Sequence, residues 1–208
     1  MKKSLLVLMA AISIMGTFAT GCNDTPKNQQ EMTFDEIVAT RRSVRQYDPE
    51  KKISEAEIRT LIETAIEAPS WANNQPVRYY VAIDPETVQK IRELLGTSNM
   101  RNTADAPVLV VSTFKKGGSG FFRGTPANEL GDEWGAYDTG LSNAYFILKA
   151  RERGYDTLIM GMRDSDGIRK ILNIPNEEEV TAVISVGYRV SDPNRPARKS
   201  VDDITIFF

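Results

Sequence analysis

"TRRSVRQYDP" (residues 40–49) places Arg41, Arg42, Arg45 and Ser43 within five positions, directly after a short amphipathic stretch. Upstream, Thr33-Phe34-Asp35-Glu36 has the form of a capping box, with Met32 and Ile37 as its hydrophobic staple, so a helix begins there and ends near Arg41. Two readings of the arginines are open. Cations at a helix C-terminus interact favourably with the macrodipole, at roughly 0.3–1 kcal/mol each, and the cluster can be a solvated helix end. If the chain is extended beyond the helix, Arg41, Ser43 and Arg45 alternate onto one face. Two guanidinium forks and a hydroxyl on one face match phosphate oxygens or a polarised carbonyl.

Working outward, Ser54-Glu55-Ala56-Glu57 repeats the capping box, and Ile58, Leu61, Ile62, Ala65 and Ile66 mark one helical face that Ala68-Pro69 ends. "APSWANNQP" (68–76) is a proline-bounded loop rich in amide donors and acceptors. It is either a surface turn or, because an exposed Trp71 is unfavourable without a partner, a stacking or interface loop. "RYYVAI" (78–83) has strand composition, Asp84-Pro85 starts a helix, and Gly96 is placed to end it. "PVLVVSTF" (107–114) and "TAVISVGY" (181–188) read as buried strands, and "TLIMGM" (157–162) as a strand or strand end. The longest helix is expected from Glu133 to Arg153 with Gly154 as its cap, and another from Asp164 to Leu172. "KKGGSGFF" (115–122) follows a strand without opening a helix, so a mobile loop is expected rather than a phosphate cradle. The irregular interleaving of helices with strands predicts α+β layering, with neither a G-x-G-x-x-G motif nor a P-loop.

Composition narrows the chemistry. The 208 residues, 41% apolar and 26% charged, suit one domain, and 26 basic against 28 acidic residues give no reason to expect nucleic acid. There is no histidine, which excludes His-based triads, H-E-x-x-H zinc sites and a histidine general base. The single cysteine, Cys22, excludes an intrachain disulfide framework, and no metal site is expected. An enzyme built from the remaining side chains would be expected to borrow an organic cofactor.

"MKKSLLVLMAAISIMGTFATGC" opens with two lysines, carries no charge from Ser4 to Cys22 and approaches Cys22 through small residues, the pattern of a secretory signal. A transmembrane anchor is the rival reading. The end of the segment resembles a bacterial lipobox, which implies lipidation of Cys22, with Ala19 standing where leucine is usual. The expected division is a signal peptide at 1–21, a polar tether at 22–32 and a folded domain at 33–208. The expected location is the cell envelope, lipid-anchored to a membrane after export.

"RRSVRQYDP", "APSWANNQP", "GLSNAYFILKARERGYDTLIMGM" and "AVISVGYRVSDPNRPARKSVDDI", in this order and spanning the chain from Met32 onward, resemble the nitroreductase family of flavin-dependent oxidoreductases. The resemblance implies an α+β fold of three α/β/α layers, an intertwined homodimer, and FMN as cofactor with NAD(P)H as hydride donor. It places Arg41, Arg42, Ser43 and Arg45 on the FMN, with Arg41 and Arg198 nearest the phosphate and Lys199 beside them. Arg45 falls where a cation flanks the pyrimidine edge and favours the reduced, anionic flavin. Asn99 and Asn102 would lie near the same edge, and Ile159, Met160 and Gly161 on the segment whose backbone meets the flavin N5 region. Pro69, Ser70, Trp71 and Asn73 would come from the second subunit, Trp71 replacing what is often a small polar residue. The implied reaction passes hydride through flavin to a small-molecule acceptor, nitroaromatic or quinone-like, without any acid–base side chain. Two alternatives remain: other flavin chemistry on the same fold, such as reductive dehalogenation or oxidation, and a non-catalytic, membrane-anchored binding module.

Overall fold

Both capping boxes form. At the start of helix α1 (Phe34–Thr40), Thr33 Oγ1 accepts the Glu36 N–H while Glu36 Oε2 accepts the Thr33 N–H at 2.7 Å. Ser54 and Glu57 repeat this reciprocal pair at helix α2 (Glu55–Ala65). Each such cap contributes about 1 kcal/mol. These details come from a computed structural model that describes residues 32–208. The expected signal segment, Cys22 and the tether up to residue 31 lie outside the described residues. Among the described residues no helix is long and apolar enough to cross a membrane.

Strand β1 (Val77–Ala82) follows the proline-bounded loop, and helix α3 (Pro85–Glu93) opens on Asp84, whose carboxylate accepts the Glu86 and Thr87 N–H groups. The helix stops at Leu94, not at Gly96. Gly96 instead begins a short helix α4 (Thr97–Asn102). The reason is tertiary: Leu95 is buried and pairs in an isolated antiparallel bridge with Arg163, which pulls the chain out of helix before the glycine. Strand β2 (Val108–Lys115) leads into a two-stranded hairpin of β3 (Phe121–Phe122) and β4 (Thr125–Pro126). Helix α5 (Glu133–Glu152) ends in a Schellman motif: Gly154 is left-handed (φ 82°), and the Tyr155 N–H reaches the Ala150 carbonyl at 2.8 Å. Strand β5 (Asp156–Met160), helix α6 (Ser165–Leu172) and strand β6 (Glu178–Gly187) complete the order.

The main sheet is four-stranded and antiparallel throughout, in the order β1-β2-β6-β5. Both of its faces are covered, which explains why β2 is apolar at successive positions where a half-solvated strand would alternate. Val108 and Val110 pack with Ile58, Leu61, Phe146 and Ala150 of α2 and α5. Leu109 and Val111 face the other way, against Val88 and Ile91 of α3 and Ile168 of α6. The result is the expected three-layer α/β/α arrangement. Strand β6 starts three residues earlier than its apolar run and carries an extra residue, Thr181, opposite the Ser112–Thr113 step. Such bulges bend a strand and re-aim the groups beside it.

The glycine-rich stretch 115–122, expected as a mobile loop, is tied to the body of the protein by hydrogen bonds. Ser119 is buried and donates to Asp138 at 2.6 Å, and the Gly117 N–H donates to Asp132 at 2.7 Å. Gly120 sits so close to the Gly131 carbonyl and the Trp134 ring that a Cβ would meet them at 2.2 and 2.7 Å. These partners arrive from α5 and the turn before it, so local composition does not announce them.

Candidate active site

The arginine segment leaves α1 in an extended conformation, Arg41 at φ −60° and ψ 134°. It then runs beside β5: Ser43 bridges Thr157 in parallel, and the Val44 N–H donates to the Thr157 carbonyl at 3.0 Å. Val44 is buried, while Ser43 and Arg45 on either side of it are exposed, so alternation does carry these two side chains to one face. Tyr47 fixes the end of the segment. Its buried hydroxyl donates to the Val44 carbonyl and shares a 2.8 Å hydrogen bond with Ser185, and burial pushes its pKa up.

Ser43 and Arg45 meet Asn102 and Ser191 around a cavity of about 270 Å³. Arg45 bends its guanidinium back to the Ser43 carbonyl at 3.0 Å. Arg42 behaves as the helix-end reading describes: it donates to the Ala39 and Arg41 carbonyls at 2.7 and 2.8 Å, leaving its buried Nε without a partner. Arg41 is different. Burial, then repulsion from Arg198, then from Arg42 hold its guanidinium below the ordinary value. Among the described residues none of Arg41, Arg42, Arg45, Arg198 and Lys199 has a carboxylate partner at ion-pair distance. Arg41 and Arg198 thus stand close enough to repel each other without a described carboxylate at ion-pair distance to either.

Residues 43 and 44 pair with Thr157 near the start of β5, and their parallel course directs the chain after them toward the far end of the strand. Met160 is buried there, whereas Ile159, Gly161 and Met162 are exposed. An ideal Cβ on Gly161 meets nothing within 4 Å, so the space in front of this backbone is open. Asn99 of α4 donates to the Met162 carbonyl at 3.2 Å, which ties the second asparagine of the expected pair to the same place.

Pro69 and Ser70 line a separate cavity of about 370 Å³ with Tyr79 and Asp138, and it shares no lining residue with the cavity beside Arg45. Trp71 and Asn73 belong to a short 3-10 turn in which Ala72 and Asn73 adopt left-handed backbone, at φ 45° and 56°. Trp71 has an aromatic partner within its own chain. Its ring lies 4.8 Å from that of Trp134, and the backbone N–H of Trp71 donates to both Asp138 oxygens at 3.1 Å. Arg198 and Lys199 stand on an exposed tail without regular structure.

Three groups of the site escaped sequence reasoning. Asp138, 2% exposed, ties the Trp71 turn to Ser119. The signal for it was helical spacing: Asp138, Thr139, Ser142 and Asn143 give α5 a polar buried face, satisfied in part by Tyr79 and Ser112. The second group is the buried Asp156 with Arg189, whose Nε donates to Asp156 Oδ2 at 2.6 Å and whose Nη2 reaches the Thr40 carbonyl at 3.3 Å. Arg151 adds a bond to Thr40 Oγ1 at 3.1 Å, so the residue before the arginine cluster is held from two sides. Hydrogen bonding to Asp156, ahead of the opposing effect of burial, raises the Arg189 pKa. The third is Arg163, which donates to the carbonyls of Gly161 and Val180.

An antiparallel sheet covered by helices on both faces, with the arginine-bearing segment 41–45 beside its outer strand, defines a three-layer α+β protein. The chain belongs to the nitroreductase family, whose family model matches residues 38–188. YdgI of Bacillus subtilis is 28% identical over 200 residues, spanning 82% of this chain and 95% of YdgI. An NADH dehydrogenase of Thermus thermophilus is 26% identical over 174 residues, 71% of this chain and 82% of the relative. Among solved structures, a protein of Exiguobacterium sibiricum in complex with FMN shares the fold with a TM-score of 0.75 at 23% identity, over 86% of this chain and 99% of that one.

Proposed function

We propose that the chain is an FMN-dependent NAD(P)H oxidoreductase that passes hydride to a nitroaromatic or quinone-like acceptor in a ping-pong sequence, the donor leaving before the acceptor enters. The observation that carries this reading is the pair Arg41 and Arg198, which repel each other with no carboxylate at ion-pair distance among the described residues, and the open backbone at Gly161 agrees with it. FMN fits it: its phosphate supplies the missing anion, and its flat ring needs an approach free of side chains. The bound flavin supplies hydride acceptance and donation. Arg41 and Arg198 hold the phosphate, with Lys199 adjacent. Ser43 also contacts the FMN, Arg45 sets a positive charge at the pyrimidine edge with Asn99 and Asn102 near it, and residues 159–161 meet the N5 region. FMN in the Exiguobacterium complex and the NADH dehydrogenase name of the Thermus relative support the cofactor and the donor. The test is a visible absorption spectrum: purified protein, supplied with FMN, is expected to be yellow and to be bleached by NADH or NADPH. A protein that takes up no FMN refutes this function and leaves a binding module.

The working unit in this proposal is a homodimer anchored to a membrane through Cys22. Ile204, Ile206 and Phe207 of the tail are 70%, 78% and 84% exposed in the single chain, an unfavourable arrangement unless a second copy covers them. In the dimer, Pro69, Ser70, Trp71 and Asn73 of one copy complete the flavin site of the other. Cys22→Ser tests both points: the protein is expected to leave the membrane fraction and to sediment as a dimer with one FMN per chain. Retention in the membrane refutes the lipid anchor, and a flavin-loaded monomer refutes the shared site.

A further inference from the structure

We propose that Arg163 is a positioning residue for the ring end of the flavin: it fixes the peptide between Gly161 and Met162 so that the N–H of Met162 faces the open space. The inference rests on the FMN reading above but concerns a residue that reading does not use.

Strand β5 stops at Met160, opposite Val183, so among the described residues β6 from Val180 to Ala182 pairs with β2 on one side and has no strand on its β5 side. Arg163 fills that gap. Its guanidinium donates to the Val180 carbonyl with one nitrogen and to the Gly161 carbonyl with another. The next carbonyl, that of Met162, is held as well, by the Gly96 N–H at 3.4 Å and Asn99 Nδ2 at 3.2 Å. Two successive carbonyls are therefore tied to the protein body. Among the described residues no peptide bond is cis, and in a trans peptide the N–H points opposite to the carbonyl of the same unit. With the Gly161 carbonyl drawn toward β6, the Met162 N–H is turned away from it. Among the described residues that N–H has no acceptor. Met162 itself is 73% exposed and Gly161 has no neighbour within 4 Å where a Cβ would stand, so the backbone here borders open space.

Two further features separate this from an ordinary strand tie. Arg163 Nε is buried without a partner, so the side chain forgoes one hydrogen bond to keep its fork on these two carbonyls. A guanidinium bound to a peptide carbonyl also polarises that peptide and strengthens its N–H as a donor. The bulge at Thr181 lies next to the anchoring Val180 carbonyl, where it bends β6 beside the site.

Arg163→Met and Arg163→Lys proteins, titrated with FMN and separately with riboflavin, test the proposal, with the thermal melt of each apo protein as the check on folding. Riboflavin lacks the phosphate, so it reports the ring end alone. Arg163→Met is expected to weaken both flavins about tenfold, the effect of losing one well-oriented hydrogen bond, and to change the band shape of bound flavin. Arg163→Lys reaches one carbonyl but cannot span two, and is expected to weaken both by roughly threefold. Wild-type affinity and spectrum in a folded Arg163→Met protein overturn the proposal, as does a loss confined to FMN. If the Met variant does not fold, a Lys variant indistinguishable from wild type overturns it. A wild-type protein that binds neither flavin instead removes the FMN reading itself.

Discussion

An Asp156→Ala protein is expected to lose roughly 3–5 kcal/mol of folding stability, measured as a lower midpoint in a urea titration of unchanged slope. The side chain of Asp156 is 2% exposed and that of Arg189 is 13% exposed, so removing the carboxylate strands a guanidinium with little water to replace its partner. A second cation, Arg151, stands 3.8 Å from the same carboxylate and would add repulsion once it is gone. Exposed pairs set the contrast. Lys90 and Glu86 are more than half exposed one helical turn apart, where solvent screens the pair, and Glu86→Gln is expected to leave the urea midpoint almost unchanged. The double variant Asp156→Ala with Arg189→Met should recover part of the loss, because the stranded charge leaves with its partner. A single-variant loss below about 1 kcal/mol would show that the pair is solvated and not structural. The pair also reaches the site, since Arg189 and Arg151 both hold Thr40, the residue from which the arginine segment departs.

That link explains what the sequence could and could not reveal. Helix starts at Thr33, Ser54, Asp84 and Asp164 were legible because a cap is made within three residues of its own helix. The end of α5 was legible for the same reason, through Gly154. The alternation at Ser43 and Arg45 was legible because it needs only extended backbone. The remainder depends on partners distant in sequence. Nothing within 115–122 tells that Asp138 will hold Ser119, nor within 68–76 that Trp134 will cover Trp71. Gly96 looked like a helix end because glycine usually is one, but the bridge between Leu95 and Arg163 ended the helix first. Arg163 carried no signal at all: its role depends on where β5 stops relative to β6, a matter of register rather than composition.

The arginines that opened the sequence should divide their labour in a way that two variants separate. Arg41→Gln is expected to weaken FMN roughly 10–100-fold while leaving riboflavin almost unaffected, since a charge-assisted hydrogen bond contributes about 1.5–3 kcal/mol and riboflavin has no phosphate to receive it. The repulsion that Arg41 feels from Arg198 and Arg42 is relieved when an anion enters among them, so the gain on binding exceeds that of an isolated arginine. Arg45 has another task in this scheme. It is exposed and bound only to its neighbour's carbonyl, so Arg45→Gln should leave the fold intact and change FMN affinity by no more than about threefold. What it should change is the reduction potential. Removing a positive charge beside the ring disfavours the anionic reduced form, and a loss of roughly 1.4 kcal/mol corresponds to about 30 mV for a two-electron couple. The measurement is a dye-equilibrated reductive titration of each variant beside parallel FMN and riboflavin binding curves. Equal loss of both flavins in the two variants, with the potential unmoved by Arg45→Gln, would assign both arginines to one undifferentiated anion site and refute the division.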